Sequence, residues 1–473
     1  MTQPGDPSER SLHPGAAEPP AASATTRPSA PPGPERRRLR GGAPIQIGLL
    51  GCGTVGGGVL RLLADKSANL AARAGAPLVV RRIAVRELDK QRVPECDPSL
   101  LTTDPDAVVS DPEIDLIVEV MGGEEPAREL LARAMDRGKG VVTANKLLLA
   151  AHGPALLARA VERRVDLAFE GAAGGGIPIV RNLRESFASD RVERIVAILN
   201  GTCNYILTRM REGGASFAAA LAEAQERGYA EADPTLDVDG HDAAHKLVVL
   251  AMLAFGARVA EGEVPVEGIR ALEEADHRHA DRFGYAIKHL AIGRDLGGTV
   301  ELRVHPTLIP RRSVLANVSG VLNAVLVEGR ALGPSLVYGR GAGDLPTAVS
   351  VVADIVDVAR SIASGVAGMQ TRGIALAERP LRPLAEVESR YYLRFTVADR
   401  PGVMGRLAGA LGDAGVSIEH IVQEGEPQPG GASVDVVMVT HRAREGNVRA
   451  ALAAIDSAAI LDRPARLLRI EAV

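Results

Sequence analysis

Residues 225 to 256, QERGYAEADPTLDVDGHDAAHKLVVLAMLAFG, gather Glu226, Glu231, Asp233, Asp237 and Asp239 into a Gly/Pro-broken segment, and Asp242 and Lys246 come next where it turns into an apolar helix. Unpaired charge beside a core is costly to desolvate, so this density of carboxylates at the mouth of a buried helix points to a polar substrate rather than to packing. Asp242 and Lys246 stand four apart, share a helix face and can meet. A surface ion pair is the plainer reading of any such spacing. Here the pair lies at a half-buried boundary, where a lysine pKa can be moved from its free value of about 10.4. Lys246 is the candidate general acid/base and Asp242 the group that orients it.

These residues need a scaffold, and the start of the folded region supplies one. PIQIGLLGCGTVGGGVLRLLADK, residues 44 to 66, reads as a strand, a glycine turn and a helix. Gly51, Gly53 and Gly56 form G-x-G-x-x-G around Thr54 and Val55, the spacing that turns the chain tightly, lets backbone approach a pyrophosphate and packs helix on strand. In a chain with 51 glycines the pattern alone is weak, but its place between an apolar strand and an apolar-periodic helix marks a dinucleotide site. A second strand over 78 to 88 ends in Arg86 and Glu87; Arg86 leans towards NADP, with NAD left open. Segments 114 to 123 and 139 to 150 read as buried parallel strands leading into loops, which places Thr143 and Lys146 of Thr143-Ala144-Asn145-Lys146 at the cofactor cleft. Lys146 there can hold a carboxylate or polarise a carbonyl, and its charge would lower the pKa of Lys246.

At 473 residues the chain has room for about three domains. Hydrophobic residues make up 46% and charged residues 24%, which suits a soluble globular protein, and a net charge of −4 carries no footprint for nucleic acid or anionic membrane. Cys52, Cys96 and Cys203 form no disulfide or metal-ligand spacing, so a reducing, cytoplasmic setting is expected. The longest apolar run, Leu247 to Phe255, is too short to span a bilayer. Residues 1 to 43, with nine prolines, read as a disordered Pro/Ala-rich tail.

Beyond residue 150 strict strand-helix alternation stops. Strands are expected at 191 to 199, 299 to 304 and 321 to 328, and helices at 154 to 163, 204 to 225, 242 to 256 and 266 to 275, forming a mixed sheet covered by helices. Residues 339 to 363 place a glycine loop and Pro346 before a further apolar helix.

Several motifs, in order, resemble the homoserine dehydrogenase family: the glycine turn, VTANK, NGTxNYI from Asn200 to Ile206, GYAExDPxxDxxGxDAxxK from Gly228 to Lys246, and GxGAG from Gly339 to Gly343. The segment YYLRFTVADRPGVMGRLAGALGDAGVSIEHIVQ, together with VDVVMVT, a helix and RLLRIE nearer the C-terminus, resembles an ACT domain, a βαββαβ amino-acid-binding unit. The resemblance implies an α/β protein: a Rossmann domain over 44–168 and 339–365, an α+β substrate and dimerisation domain over 169–338, a linker over 366–389 and a ferredoxin-like ACT domain over 390–473. It implies reversible reduction of L-aspartate 4-semialdehyde to L-homoserine by NADPH or NADH, in a homodimer or homotetramer. By the same resemblance Glu231 holds the substrate amino group, Asp237 helps fix the substrate, and Gly341 and Gly343 lie near the nicotinamide. A monovalent cation, sodium, is implied at the carbonyls of Glu170, Ala173, Gly175 and Ile177, although Gly171 and Ala173 depart from the family's usual residues there.

The ACT resemblance implies threonine as effector. The turn before the helix offers it the backbone N–H groups of Gly402 and Val403, and truncation after residue 380 is expected to leave an active, insensitive enzyme. Two alternatives compete. Cys203 could be the nucleophile of an aspartate-semialdehyde-type thiolate dehydrogenase, or the chain could be a non-enzymatic amino-acid sensor.

Overall fold

The structure, a computed structural model, describes residues 42–366, 368–371, 373–424 and 433–473. Of the expected tail, residues 1–41 lie outside the described residues.

Apolar runs bounded by glycine turns form six strands: β1 (Ile45–Leu50), β2 (Leu78–Ala84), β3 (Leu101–Thr102), β4 (Leu116–Glu119), β5 (Gly140–Thr143) and β6 (Leu167–Ala168). They pair in parallel in the order β3-β2-β1-β4-β5-β6. β4 and β5 are wholly buried, as central parallel strands covered on both faces must be. The order reverses between β1 and β4, and in such sheets the crevice beyond the strand ends at that point binds ligands. The helix Asp344–Ala363 returns late in the chain to cover this sheet. It packs so closely on the helix Thr54–Asp65 that a Cβ at Gly58 would stand 2.9 Å from that of Ala348. Arg61 and Asp344 pair across the same contact at 3.3 Å.

The remaining strands are β7 (Val192–Ile198), β8 (Ala257–Arg258), β9 (Tyr285–Asp295), β10 (Val300–Pro310), β11 (Leu322–Gly329), β12 (Gly333–Arg340), β13 (Ala377–Glu378), β14 (Glu388–Ala398), β15 (Ile418–Glu424), β16 (Ser433–Thr440), β17 (Ala443–Arg444) and β18 (Arg466–Ile470). Most of them form one mixed sheet in the order β12-β11-β7-β9-β10-β18-β14-β16-β15. Its last four strands and the helices Val403–Asp413 and Glu445–Ser457 make the expected βαββαβ unit.

Several expectations need correction. β2 stops at Ala84, so Arg86 lies two residues beyond the strand. The expected helix over 204 to 225 is two helices, Gly201–Gly213 and Phe217–Glu226, because Gly214 turns left-handed at φ +60° and Ser216 caps the second. Residues 266 to 273 are not helical and the helix there is Glu274–Arg282: Gly268 is pressed against the chain at Val238, where a Cβ would stand 2.4 Å from the Val238 oxygen, and Val266 bridges Val304.

The ACT unit is packed onto the substrate domain rather than tethered beside it. β18 pairs in parallel with β10 at Thr307 and Leu308, so the unit extends the substrate-domain sheet. One core cluster mixes Tyr205, Ile206, Ile287 and Leu308 with Tyr392, Val437, Val439, Leu468 and Ile470. The segment joining the two units is also packed, with β13 alongside β8 and Arg379 donating to the Phe255 carbonyl at 3.1 Å.

Candidate active site

The glycine turn has the shape its spacing implies. Gly51 takes φ +99°, and a Cβ there would stand 2.8 Å from the Val120 oxygen at the end of β4. Gly56 lies so close to the turn that its Cβ would meet the Gly51 oxygen at 2.4 Å, whereas Gly53 faces open space. The free helix N-terminus at Thr54 and Val55 and the open position at Gly53 fit a pyrophosphate, which needs N–H donors and room for backbone approach. Arg86 is exposed beyond β2. Thr143 is buried at the end of β5 and its hydroxyl donates to Glu119 Oε2 at 2.6 Å. Glu119 also accepts from the N–H groups of Met121 and Gly122, fixing the loop beyond β4.

Lys146 opens the helix Lys146–Arg163, capped by the Asn145 side chain, and its ammonium pairs with Asp242 Oδ1. Lys246 reaches the same carboxylate from the helix His241–Ala254: its Nζ donates 2.7 Å to Asp242 Oδ2 and 2.7 Å to the Leu199 carbonyl. Thus Asp242 joins a lysine of the dinucleotide domain to a lysine of the substrate domain. Burial works to raise the Asp242 pKa, but the two lysines hold it well below the usual carboxylate range. The lysines diverge. Burial, with the like charge of Lys146, lowers Lys246 below the ordinary 10.5, while the attraction of Asp242, Asp237 and Glu231 outweighs burial and raises Lys146. The Lys246 side chain is 9% exposed, but the Lys146 side chain is 41% exposed.

Two asparagines complete the site, and spacing alone did not mark them. Asn200 caps the helix Gly201–Gly213 and donates through Nδ2 to both Asp237 Oδ1 at 2.7 Å and Asp242 Oδ2 at 2.8 Å. Asn323 on β11 donates 2.8 Å to the Leu199 carbonyl that also receives Lys246. Asn200 stands in the NGTxNYI motif, a signal that a role beyond the cap was available; Asn323 carried none. Asp237 is also bound by the Thr202 hydroxyl at 3.1 Å, so its carboxylate shapes the loop as much as it faces the cleft. Glu231 is exposed at the rim. The glycine loop at Gly341 lies against Asn323, with room for no Cβ, and Gly343 precedes the returning helix at φ +121°.

Cys203 is fully buried, its thiol 3.1 Å from the Asp237 carbonyl. Burial first, and then the charges of Asp237 and Asp242, push its pKa well above the ordinary thiol range. A nucleophile must be a thiolate, so the thiolate-dehydrogenase reading loses its key residue. Cys203→Ala is expected to keep kcat within a few-fold of wild type at a stability cost of about 1 kcal/mol; loss of turnover in a folded variant, read from initial rates, would restore that reading.

The proposed cation turn lies in the core. Gly174 and Gly175 are left-handed, and a Cβ at Gly175 would stand 2.1 Å from the Gly341 oxygen. The Gly175 carbonyl accepts from Ser350 Oγ at 2.7 Å and the Ile177 carbonyl from the Ile179 N–H at 2.8 Å. The Glu170 carboxylate caps Val180 and Arg181, while buried Asp354 beneath it is pushed up to about 8 by burial and by Glu170. Each engaged carbonyl keeps a lone pair. In the ACT unit, Gly402 is exposed at φ +88°, but the Val403 N–H donates 3.3 Å to the Arg400 carbonyl and its side chain is buried, leaving Gly402 the freer of the two expected donors.

A Rossmann-type sheet with a glycine turn after β1 and the lysine-carboxylate chain beginning just after β5 is the architecture of an NAD(P)-dependent oxidoreductase. Family models agree: "Homoserine dehydrogenase, NAD binding domain" matches residues 51–170, "Homoserine dehydrogenase" matches 178–356, and "ACT domain" matches 391–458. The homoserine dehydrogenase of Pseudomonas aeruginosa is 45% identical over 90% of this chain and 99% of its own. A homoserine dehydrogenase structure from Thiobacillus denitrificans superposes with a TM-score of 0.85 at 45% identity, covering 92% of this chain and 100% of that one. A hyperthermophilic archaeal homoserine dehydrogenase in complex with NADPH gives a TM-score of 0.56 at 27% identity over 67% of this chain and 97% of its own. The chain belongs to the homoserine dehydrogenase family. Among the described residues no helix is long and apolar enough to cross a membrane.

Proposed function

We propose that this enzyme reversibly reduces L-aspartate 4-semialdehyde to L-homoserine, a step towards threonine, methionine and isoleucine. The observation that carries the reading is the Lys146–Asp242–Lys246 chain beyond the carboxyl end of β5 in the dinucleotide sheet. A bound nicotinamide supplies the hydride to the aldehyde carbon, or takes it back. The carbonyl oxygen gathers negative charge as it is reduced and needs both a fixed cation and a proton. Lys246, its pKa lowered, is suited to give that proton and, when neutral, to take it from the homoserine hydroxyl in the reverse direction. Lys146 stays charged and stabilises the developing alkoxide. Asp242 aims both ammonium groups, and Glu231 at the rim receives the substrate's amino group.

Exposed Arg86 and the NADPH-bound archaeal relative favour NADP over NAD. Sodium at the Glu170–Ile177 turn would brace it against Gly341 without entering a chemical step. Threonine, received at Gly402, is the proposed effector, and the mixed sheet suits a homodimer or homotetramer. The three free thiols suit the cytoplasm.

The test is the absorbance of reduced nicotinamide after mixing the protein with homoserine and either NADP or NAD, with sodium and threonine varied in further arms. Turnover with at least one cofactor is expected. No turnover with either, beside phosphate-dependent oxidation of the semialdehyde, would sink the reading. The same assay tests the lysine roles. Lys146 lowers the Lys246 pKa, so Lys146→Met should raise it and shift the rising limb of the homoserine-oxidation pH profile to higher pH. An unmoved limb in an active variant would take the proton away from Lys246.

A further inference from the structure

Glu267 lies outside the cleft, yet two sets of bonds meet on it. Its carboxylate is held entirely by the ACT unit: Arg469 of β18 donates through Nη1 to Oε2 and through Nη2 to Oε1, each at 2.8 Å, and Arg449 of the helix Glu445–Ser457 donates to Oε1 at 2.8 Å. Arg469 is fully buried, and its other contact is the equally buried Glu445, whose Oε2 accepts from Nε at 2.6 Å. Glu445 Oε1 also accepts from Arg449 Nε at 2.9 Å. Two arginines and two carboxylates thus close a charge-balanced network around the fully buried Arg469–Glu445 pair.

The backbone of the same segment is fastened to the substrate loop. The Ile269 N–H donates 2.8 Å to the Val238 carbonyl, next to Asp237. Gly268 is so close that a Cβ would stand 2.6 Å from Asp239 Cα. His289 bonds the Glu267 carbonyl at 3.0 Å, and a Cβ at Gly240 would stand 2.8 Å from Val266 and 3.1 Å from His289. Gly240 is the residue from which the helix carrying Asp242 and Lys246 starts. The stretch 238–240, between Asp237 and Asp242, therefore rests on 266–269, and 266–269 is anchored by two arginines of the ACT unit.

We propose that Glu267 is a positioning residue for the substrate: through Arg469 and Arg449 the ACT unit sets the placement of the 237–242 segment, and with it the affinity of the cleft for homoserine. The proposal rests on reading that segment as the substrate site. Displacement of the segment should disturb the side chains that meet the substrate more than the proton-transfer pair, which is also pinned by Leu199 and Lys146.

The test is steady-state kinetics of homoserine oxidation by Glu267→Gln and Arg449→Met in the full chain. KM for homoserine is expected to rise about 10-fold in Glu267→Gln and several-fold in Arg449→Met, with kcat within about 3-fold and KM for the dinucleotide unchanged. Arg449 is half exposed on the outer helix, so its variant should fold even where Glu267→Gln does not. Arg444→Met, which removes another exposed arginine of the unit, is the control and should leave KM for homoserine unchanged. An unchanged KM for homoserine in Arg449→Met, or an equal rise in the Arg444→Met control, overturns the proposal. If the wild-type protein does not oxidise homoserine at all, it is the functional reading that has failed.

Discussion

Lys246→Ala is expected to lower kcat by about 100-fold or more while leaving dinucleotide affinity within about 2-fold. A positioned acid/base contributes on the order of 100-fold to 10,000-fold. Lys246 is placed for that work: its Nζ is fixed by the Leu199 carbonyl and Asp242, and its pKa is lowered by burial and by Lys146. Dinucleotide binding depends on Gly51 to Gly56, on a different strand and turn, and so should survive. The fold should survive too, because Asp242 keeps Lys146 and Asn200 as partners when Lys246 is removed. The measurements are steady-state turnover and a titration of reduced nicotinamide fluorescence. A near-normal kcat would reduce Lys246 to a buried structural ion pair, and a parallel loss of dinucleotide affinity would mean that the two sites are not separable.

The second large effect concerns the C-terminal unit. Removal of every residue after 380 should yield a chain that does not remain soluble and folded, rather than an active enzyme freed from control. The cut takes Tyr392, Val437, Val439, Leu468 and Ile470 out of a core they share with Tyr205, Ile206, Ile287 and Leu308. At roughly 1.5–3 kcal/mol for each large buried side chain, this loss is on the order of 10 kcal/mol, comparable with the whole stability of a typical domain. It also strips Arg394, which donates 2.8 Å to the fully buried Asp276, and leaves that carboxylate without its closest cation. Soluble yield and a thermal melt of the truncated chain check this. A monodisperse truncated protein with wild-type turnover would show the unit to be autonomous, as the sequence suggests when read as a string of modules. Loss of effector control is better sought with point variants such as Arg449→Met.

The dinucleotide turn was legible because its information is local. Gly51 and Gly56 meet two separate steric demands within six residues, Gly53 leaves the turn open between them, and their spacing records all three. Asp242 and Lys246 were legible for the same reason: one helical turn brings them together whatever the rest of the chain does. Where the local signal is ambiguous, tertiary packing overrides it. Apolar residues over 204 to 225 suggested one helix, and the left-handed Gly214 makes it two. Residues 266 to 275 read as a helix, but Gly268 serves the packing of 266–269 against Val238 and Asp239.

The sequence by itself thus determined the dinucleotide fold, the family motifs and the Asp242–Lys246 pair, because each is written in periodicity or in spacings of a few residues. The tertiary structure decided which distant groups complete the site. Lys146 meets Asp242 from another domain, Asn200 links Asp237 to Asp242 across 42 positions, and Glu267 finds Arg469 across 202. It also decided that the ACT unit is built into the substrate-domain sheet through two residue pairs between β10 and β18. The physical reason is that a charge or a strand edge specifies only that a partner must exist. Which partner it meets is settled by how helices and sheets pack, a property of the whole chain that no local spacing records.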